Sequence, residues 1–420
     1  MWTSWDRSPT IAEHVHHRHG ASIRRVVRLP APPVAAAPRD GRGTLAGTLA
    51  GRAGRNLIAM TVIVSPPTGA EASGALAERV LGSAIATLDI ACIHLGHRLG
   101  LYKALSTEEP RTAAEVAARA NLDERYTREW LEQQAATGIL ACEDPQAKPL
   151  RFSIPEGHDI ALLDPESLAS VAGFVRVTIG ALSALDQLIE AFPTGAGVPY
   201  ADYGQDMREG VAETNLPMYT HLLPDWLKAV PDVHARLSEP GAHVADIACG
   251  VGHSSRAIAS AYPLAHVDGF DDDVASIERA RSYDGERTRF YVQDAADTGL
   301  NGSYDLVTIF QAVHDMTYPV EALETARKLL APQGALIVAD EKVPHAFSAP
   351  TEDPMERIAY GFSVLHCLPV GRVAHDAAAT GTVMRPHTLE AYALEAGFEE
   401  VEILPIENDF WRFYRLNPPR

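Results

Sequence analysis

The sequence predicts an α/β protein: a Rossmann-like sheet of seven strands closed by a C-terminal antiparallel hairpin, preceded by an α-helical winged-helix domain. Three observations predict it. From Ala242 onward, short apolar runs alternate with helical patterns at the rhythm of βα units. The first run, His243–Ala248 (HVADIA), leads straight into a glycine turn, Cys249-Gly250-Val251-Gly252. Upstream, residues 75–155 read as three helices followed by a wing.

Composition agrees with that class. The chain has 420 residues, 46% hydrophobic and 22% charged, which excludes a disordered or fibrous protein and leaves room for two or three domains. A net charge of −19 argues against a general nucleic-acid binder, since phosphate affinity needs Lys and Arg. Cys92, Cys142, Cys249 and Cys367 form no CxxC pair, so neither a metal site nor a disulfide framework is expected, and a reducing cytoplasm is the expected compartment. No stretch predicts a membrane span; the most apolar one, Ser167–Leu185, carries Arg176 in its middle.

Residues 1–59 hold nine Arg, no Lys and three acids among Ala, Gly, Pro and His, with no sustained apolar period. They read as a disordered extension, with Met60 as an alternative start, rather than as a basic arm or transit peptide. Ala75–Leu105 carries apolar residues at helical spacing. Thr112 with Glu115 predicts a capping box for a helix over 113–120, and Asp123 caps a third helix whose Tyr126, Trp130, Leu131 and Ala135 share one face. Ile139–Ile154, turning at Asp144-Pro145, reads as the wing. This winged helix is not built for DNA: between Leu81 and Pro155 ten acids outnumber eight bases, and the reading helix has two Arg against four acids. It is expected to hold a homodimer instead.

Residues 160–232 predict a helical linker and pocket cap, with Asp164-Pro165 as a helix start and helices over 166–192 and 205–230. Residues 240–420 carry the sheet: strands at 243–248, 266–270, 289–293, 304–310 and 335–340, then a hairpin of 401–406 and 410–416 turning at Asn408-Asp409. In such sheets ligands sit at the carboxyl ends of the strands. Gly250 and Gly252 let the backbone approach a ligand, and Asp271, at the end of the next strand, is placed to accept from two ribose hydroxyls. A strand, glycine turn, helix and acid in that order point to a nucleoside. Ser255 stands where a dinucleotide fingerprint wants its third glycine, and the terminal hairpin is foreign to most dinucleotide folds.

Asp246-Ile247-Ala248-Cys249-Gly250-Val251-Gly252 resembles the DxGxGxG motif of class I S-adenosylmethionine (SAM) dependent methyltransferases, with Ala248 in place of the first glycine. LGLYKAL (99–105), TAAEVA (112–117), RYTREWLEQQAATGIL (125–140), YGFSVLHCLP (360–369) and GTVMRP (381–386) are similar to a bacterial winged-helix group of these enzymes. The architecture also resembles plant-type O-methyltransferases, whose winged helix mediates homodimerisation. The resemblance covers roughly residues 75–416. It implies SAM as cofactor, held by Asp246, Gly250, Gly252, Asp271, Asp294, Ala295, Phe310 and Gln311. It also implies a small-molecule acceptor whose hydroxyl loses its proton to His314, with Asp340 orienting that base. The other reading of His314 is a structural histidine capping the adjoining helix. Asp315 reads as an N-cap, and His366 and Cys367 as packing residues. Tyr203, Met218, Tyr219 and Tyr360 are candidates for the acceptor pocket, with Asn215 beside them. Two further classes stay open: a SAM-binding regulator or non-methylating protein of the same fold, and a dinucleotide oxidoreductase.

Overall fold

A computed structural model describes residues 68–106, 109–296 and 304–419. The expected extension over 1–59 lies outside them. Helix α1 (Gly69–Arg98) opens with a capping box between Thr68 and Glu71. Periodicity alone would run this helix to Leu105, but Gly100 adopts φ +68° and turns the chain into a separate α2 (Leu101–Leu105). Helices α3 (Ala113–Ala120) and α4 (Glu124–Ala136) start at Thr112 and Asp123, the caps the sequence marks. Strands β1 (Ala141–Cys142) and β2 (Phe152–Ser153) pair antiparallel as the wing. Leu101, Tyr102, Trp130, Leu131 and Phe152 form the core of this region. The buried stripe of α4 is Thr127, Trp130, Leu131 and Gln134, a spacing of 3, 4 and 7. Tyr126, expected on that stripe, falls one residue outside it and is 83% exposed.

The cap is more broken than periodicity predicts. Helix α5 (His158–Leu163) leads to Asp164, whose carboxylate accepts from the Glu166 amide at 3.0 Å. That bond closes a turn rather than starting a helix. Then come α6 (Ala172–Leu182), α7 (Leu185–Ala191), α8 (Gly204–His221), α9 (Leu223–Lys228) and α10 (Pro231–Leu237). The break between α8 and α9 falls at Leu222, just ahead of Pro224, which has no amide hydrogen to continue the ladder. Helices α6 and α8 pack backbone to backbone. A Cβ on Gly173 would meet Thr214 and Glu213, one on Gly180 would meet Met207, and one on Gly210 would meet Val177, all at main-chain atoms.

The C-terminal region follows the expected alternation: β3 (His243–Ile247), α11 (His253–Ala261), β4 (His266–Asp271), α12 (Val274–Ala280), β5 (Thr288–Val292), β6 (Tyr304–Phe310), α13 (Pro319–Leu329), β7 (Leu330–Glu341), α14 (Pro354–Phe362), α15 (Leu368–Val370), α16 (Pro386–Glu395), β8 (Glu400–Ile403) and β9 (Trp411–Asn417). The sheet order is β5-β4-β3-β6-β7-β9-β8, with β9 antiparallel to both of its neighbours. Side chains alternate across it as strand geometry requires. Val244, Leu306, Phe310, Ile337, Trp411 and Phe413 face one core with Leu223 and Trp226 of α9. Ala245, Ile247, Val307, Ile309, Val338 and Tyr414 face the other with α13 and α16. Among the described residues no single helix is long and apolar enough to cross a membrane; α6 and α7 pass that test only as a pair, bent by 45°.

The three glycine contacts make the α6–α8 spacing the sensitive dimension of the cap. Gly210→Ala is expected to destabilise the protein by about 1–3 kcal/mol, the usual cost of overpacking a tight interface. Chemical denaturation reads it; a variant as stable as wild type shows that the helices separate freely.

Candidate active site

The carboxyl edge of the sheet gathers the predicted residues. Asp246, in β3 and buried, accepts from the hydroxyls of Ser254 and Ser255 at 2.6 Å each and of Thr308 at 2.8 Å. Its charge is spent on holding β3, α11 and β6 together. The turn that follows is left-handed at three positions: Ala248 (φ +56°), Gly250 (φ +54°) and Gly252 (φ +82°). A Cβ on Gly250 would project into open space, whereas one on Gly252 would strike the Phe290 ring at 2.6 Å. The open ground above Gly250 is what a nucleoside needs; Gly252 serves packing.

Asp271 ends β4 beside that turn. Its Oδ2 accepts from the Gly250 amide at 2.8 Å and its Oδ1 from the Asp273 amide at 2.9 Å. Burial pushes its pKa up to about 7, against the pull of those two amides. Burial also raises Asp272, which feels Asp294 across the cleft. Asp294 turns the chain after β5 by accepting from the Ala296 amide at 2.8 Å, and Ala295 packs against the sheet core. The cap reaches this loop through Arg208 of α8, paired with both oxygens of Asp273, and through Arg279 of α12 paired with Glu209.

Phe310 closes β6 in the core, with its ring 6.0 Å from Tyr219. Gln311 follows in the left-handed region (φ +54°), its amide donating to Ala339 at 2.7 Å. Its side chain accepts from Asn215 of α8 at 2.6 Å and donates to Glu341 at 2.9 Å. Non-glycine residues pay for such a conformation, and Ala248 and Gln311 pay it at the two strand ends facing the cleft.

His314 is buried among carboxylates. Its Nδ1 shares a 2.6 Å hydrogen bond with Asp340 Oδ1 and lies 3.0 Å from Glu341 Oε2, while Nε2 lies 3.2 Å from Asp315 Oδ1. Burial alone would lower the ring's pKa; Asp315, Asp340 and Glu341 outweigh it and hold the imidazolium well above the ordinary histidine range. In return, and despite burial, His314 keeps Asp315 and Glu341 near about 2. Burial lifts Asp340 to about 7 against the same attraction. Asp315 is not a helix cap: Pro319 sets the start of α13, whose flanking residue is Tyr318.

His314, Asp315, Gln311, Asn215 and Met218 line one cavity that opens to solvent, walled by apolar residues including Phe174, Met207, Phe362 and Trp411. Of the four aromatic and methionine candidates, Met218 is at this wall. Tyr219 lies in the core near Trp411, Tyr203 donates from its hydroxyl to Leu365 at 2.8 Å, and the Tyr360 hydroxyl accepts from Arg385 at 3.2 Å. Phe174, Met207 and Phe362 sit far apart in sequence in ordinary amphipathic patterns, so no local signal marks them. His314, Asp340 and Glu341 also stand close enough to hold a cation, but the ring nitrogen facing Asp340 and Glu341 is already in their hydrogen bond, which accounts for the cluster as it stands.

Residues 238–381 match the family model of a methyltransferase domain, and residues 86–163 match that of an Rv2258c-like winged HTH domain. A trans-aconitate 2-methyltransferase of Streptomyces avermitilis is 28% identical over 141 residues, 32% of this chain and 50% of that protein. The chain therefore spans half the length of that curated relative. The mitomycin 7-O-methyltransferase structure superposes with a TM-score of 0.63 at 20% identity, over 84% of this chain and 100% of that one. Human N-acetylserotonin methyltransferase in complex with SAM gives 0.62 at 16% identity, over 82% and 98%. The chain carries a SAM-dependent methyltransferase fold behind a winged-helix region, and SAM is the cofactor this fold takes.

Asp271→Ala is expected to weaken SAM binding by about 1–3 kcal/mol in calorimetry, because ribose hydroxyls lose a buried partner. Were Asp271 to hold the ribose, wild-type affinity would rise as pH passes upward through about 7, since only its ionised form can accept from both hydroxyls. Unchanged affinity in the variant removes Asp271 from the cofactor site.

Proposed function

We propose that this protein methylates a hydroxyl of a small molecule, with His314 as the general base and Asp340 as the group that orients it. The observation that carries this reading is the 2.6 Å bond from Asp340 to His314, a histidine on the wall of a largely apolar cavity. SAM, when bound, supplies an electrophilic methyl group. The turn at Gly250 and Gly252, with Asp271, Asp294, Ala295, Phe310 and Gln311 around it, is the part of the chain that would hold it. Asp246 acts from beneath by fixing the turn.

The Asp340 bond keeps the proton of a neutral imidazole on Nδ1 and leaves the lone pair on Nε2, the nitrogen that would meet an acceptor hydroxyl. Asp315 stands at that nitrogen and must yield its place. Once the proton is taken, Asp315, Asp340 and Glu341 stabilise the imidazolium, so proton removal is favoured while regeneration of the free base is slowed. A positioned base of this kind contributes about 10²–10⁴ in rate. The regulator reading draws no support from α4, whose Arg125 and Arg128 are each paired with a glutamate one turn away.

The same proposal includes a homodimer. Leu76, Val80, Leu81, Ile85 and Leu88 of α1 are all more than half exposed. An apolar face of that extent calls for a partner, and a second copy of α1 offers the same face by symmetry.

Turnover with labelled SAM against hydroxylated metabolites tests the chemistry. His314→Ala should lower kcat by about 10²–10⁴ with SAM affinity retained, and Asp340→Asn should cost less. Near wild-type kcat in His314→Ala overturns the base. The rate should climb with pH along a limb above the ordinary histidine range, because only the neutral ring accepts a proton and the carboxylates hold it charged. Asp315→Asn should move that limb to lower pH.

The dimer is read by light scattering. Leu81→Glu with Leu88→Glu should give monomers at micromolar concentration from a dimeric wild type; a monomeric wild type overturns the assembly.

A further inference from the structure

A second histidine belongs to the acceptor cavity. Helix α14 widens into a π-turn at Ser363–Cys367 before α15, and His366 sits in that turn. Single π-turns insert one extra residue and recur at functional sites. His366 is 4% exposed, and its ring is held edge-on by Tyr203 at 4.6 Å and Tyr200 at 5.6 Å. Nδ1 rests 3.5 Å from Cys367 Sγ. Nε2 is buried without a hydrogen-bond partner. Thr382 at its hydroxyl and Asn215 at Oδ1, on the same wall, share that condition, as do one oxygen each of Asp315 and Glu341, which have only their ion pairs to His314.

A buried polar atom left unpaired costs about 1–3 kcal/mol, so the atoms on His366, Thr382 and Asn215, which lack even an ion pair, mark a site completed by what it binds. Burial lowers the His366 pKa, which leaves the ring neutral with one nitrogen available. The two histidines of the cavity thus differ. His314 has carboxylates at both nitrogens; His366 has an open one.

We propose that His366 Nε2 recognises a second polar substituent of the acceptor, next to the hydroxyl that His314 serves, and so selects apolar, ring-sized molecules carrying two neighbouring hydroxyls. The same cavity disfavours carboxylates. Asp315, Glu341 and Lys342 are the other charged residues on its wall, no arginine lines it, and the Lys342 ammonium is spent on the Asn408 carbonyl at 2.9 Å. A polycarboxylate would meet two acids and no free guanidinium.

This inference rests on the methyl-acceptor reading of the cavity, and equilibrium binding separates the two. The full chain saturated with S-adenosylhomocysteine is titrated with 2,3-dihydroxynaphthalene, 2-naphthol and trans-aconitate. The expected result is binding of the diol about fivefold or more tighter than the mono-ol, the worth of one neutral hydrogen bond, and no binding of trans-aconitate. His366→Phe should bring the two naphthols to within about twofold of each other, and His366→Gln, which keeps an acceptor atom, should restore part of the gap. The His366→Gln result stands even where His366→Phe fails to fold. Equal affinities in wild type, absence of naphthol binding, or a gap that survives His366→Phe each overturn the proposal. A diol preference without methyl transfer would leave His366 in its role and overturn the methyltransfer reading instead.

Discussion

One buried carboxylate organises the site. Asp246 sits in β3 with less than a tenth of its surface exposed, and it survives there because three hydroxyls reach it. Ser254 and Ser255 come from the first turn of α11 and Thr308 from β6. Burying a carboxylate without such partners would cost several kcal/mol, so the three contacts fix where the helix and the neighbouring strand lie. The turn strung between them, from Ala248 to Gly252, has little freedom left. Asp271 then takes the amide of Gly250 and ties the end of β4 to the same turn. The glycine turn and the end of β4 inherit their positions from this arrangement.

The cap is built against that edge rather than draped over it. Three glycines let α6 and α8 meet at main-chain distance, which places Asn215, Met218 and Met207 of α8 along one cavity. Arg208 and Glu209, adjacent on α8, pair with Asp273, at the loop after β4, and with Arg279 of α12. One helix therefore faces both the cavity and the loop after β4. Gln311 is bonded to Asn215 on one side and Glu341 on the other.

The acidic cluster shows what such a site costs. Three carboxylates, Asp315, Asp340 and Glu341, lie within contact distance of the buried His314 ring. Paired buried charges of this kind are weak contributors to stability, because desolvation offsets attraction. Their value lies in poise: the carboxylates set the charge of the ring, and the ring sets the charge of the carboxylates. Left-handed Ala248 and Gln311 add strain at the same edge.

Much of this is written locally in the chain. The alternation of strands and helices, the capping box at Thr112 and the N-cap at Asp123, the turn at Gly250 and Gly252, and Asp271 at a strand end are all short-range patterns, and the observed elements follow them. His314 and Asp340 are legible because one follows and the other ends a strand of a sheet whose ligand edge is known in advance. The misreadings have one source. Periodicity does not register a single left-handed glycine, so α1 and α2 look continuous; an Asp-Pro pair opens a turn as readily as a helix; and a one-residue shift carries Tyr126 from the core to solvent. The cavity wall lies further out of reach. Phe174, Met207, Phe362, His366 and Thr382 converge from α6, α8, the end of α14 and the loop beyond it, and nothing in their neighbours along the chain says so. Likewise Asp315 looks like a cap until His314 is seen beside it. Sequence alone determined the elements and the cofactor edge, because hydrogen-bond periodicity and glycine geometry act over a few residues. Tertiary structure decided the acceptor cavity and the charge of its histidines, because packing and electrostatics act between residues that only the fold makes neighbours.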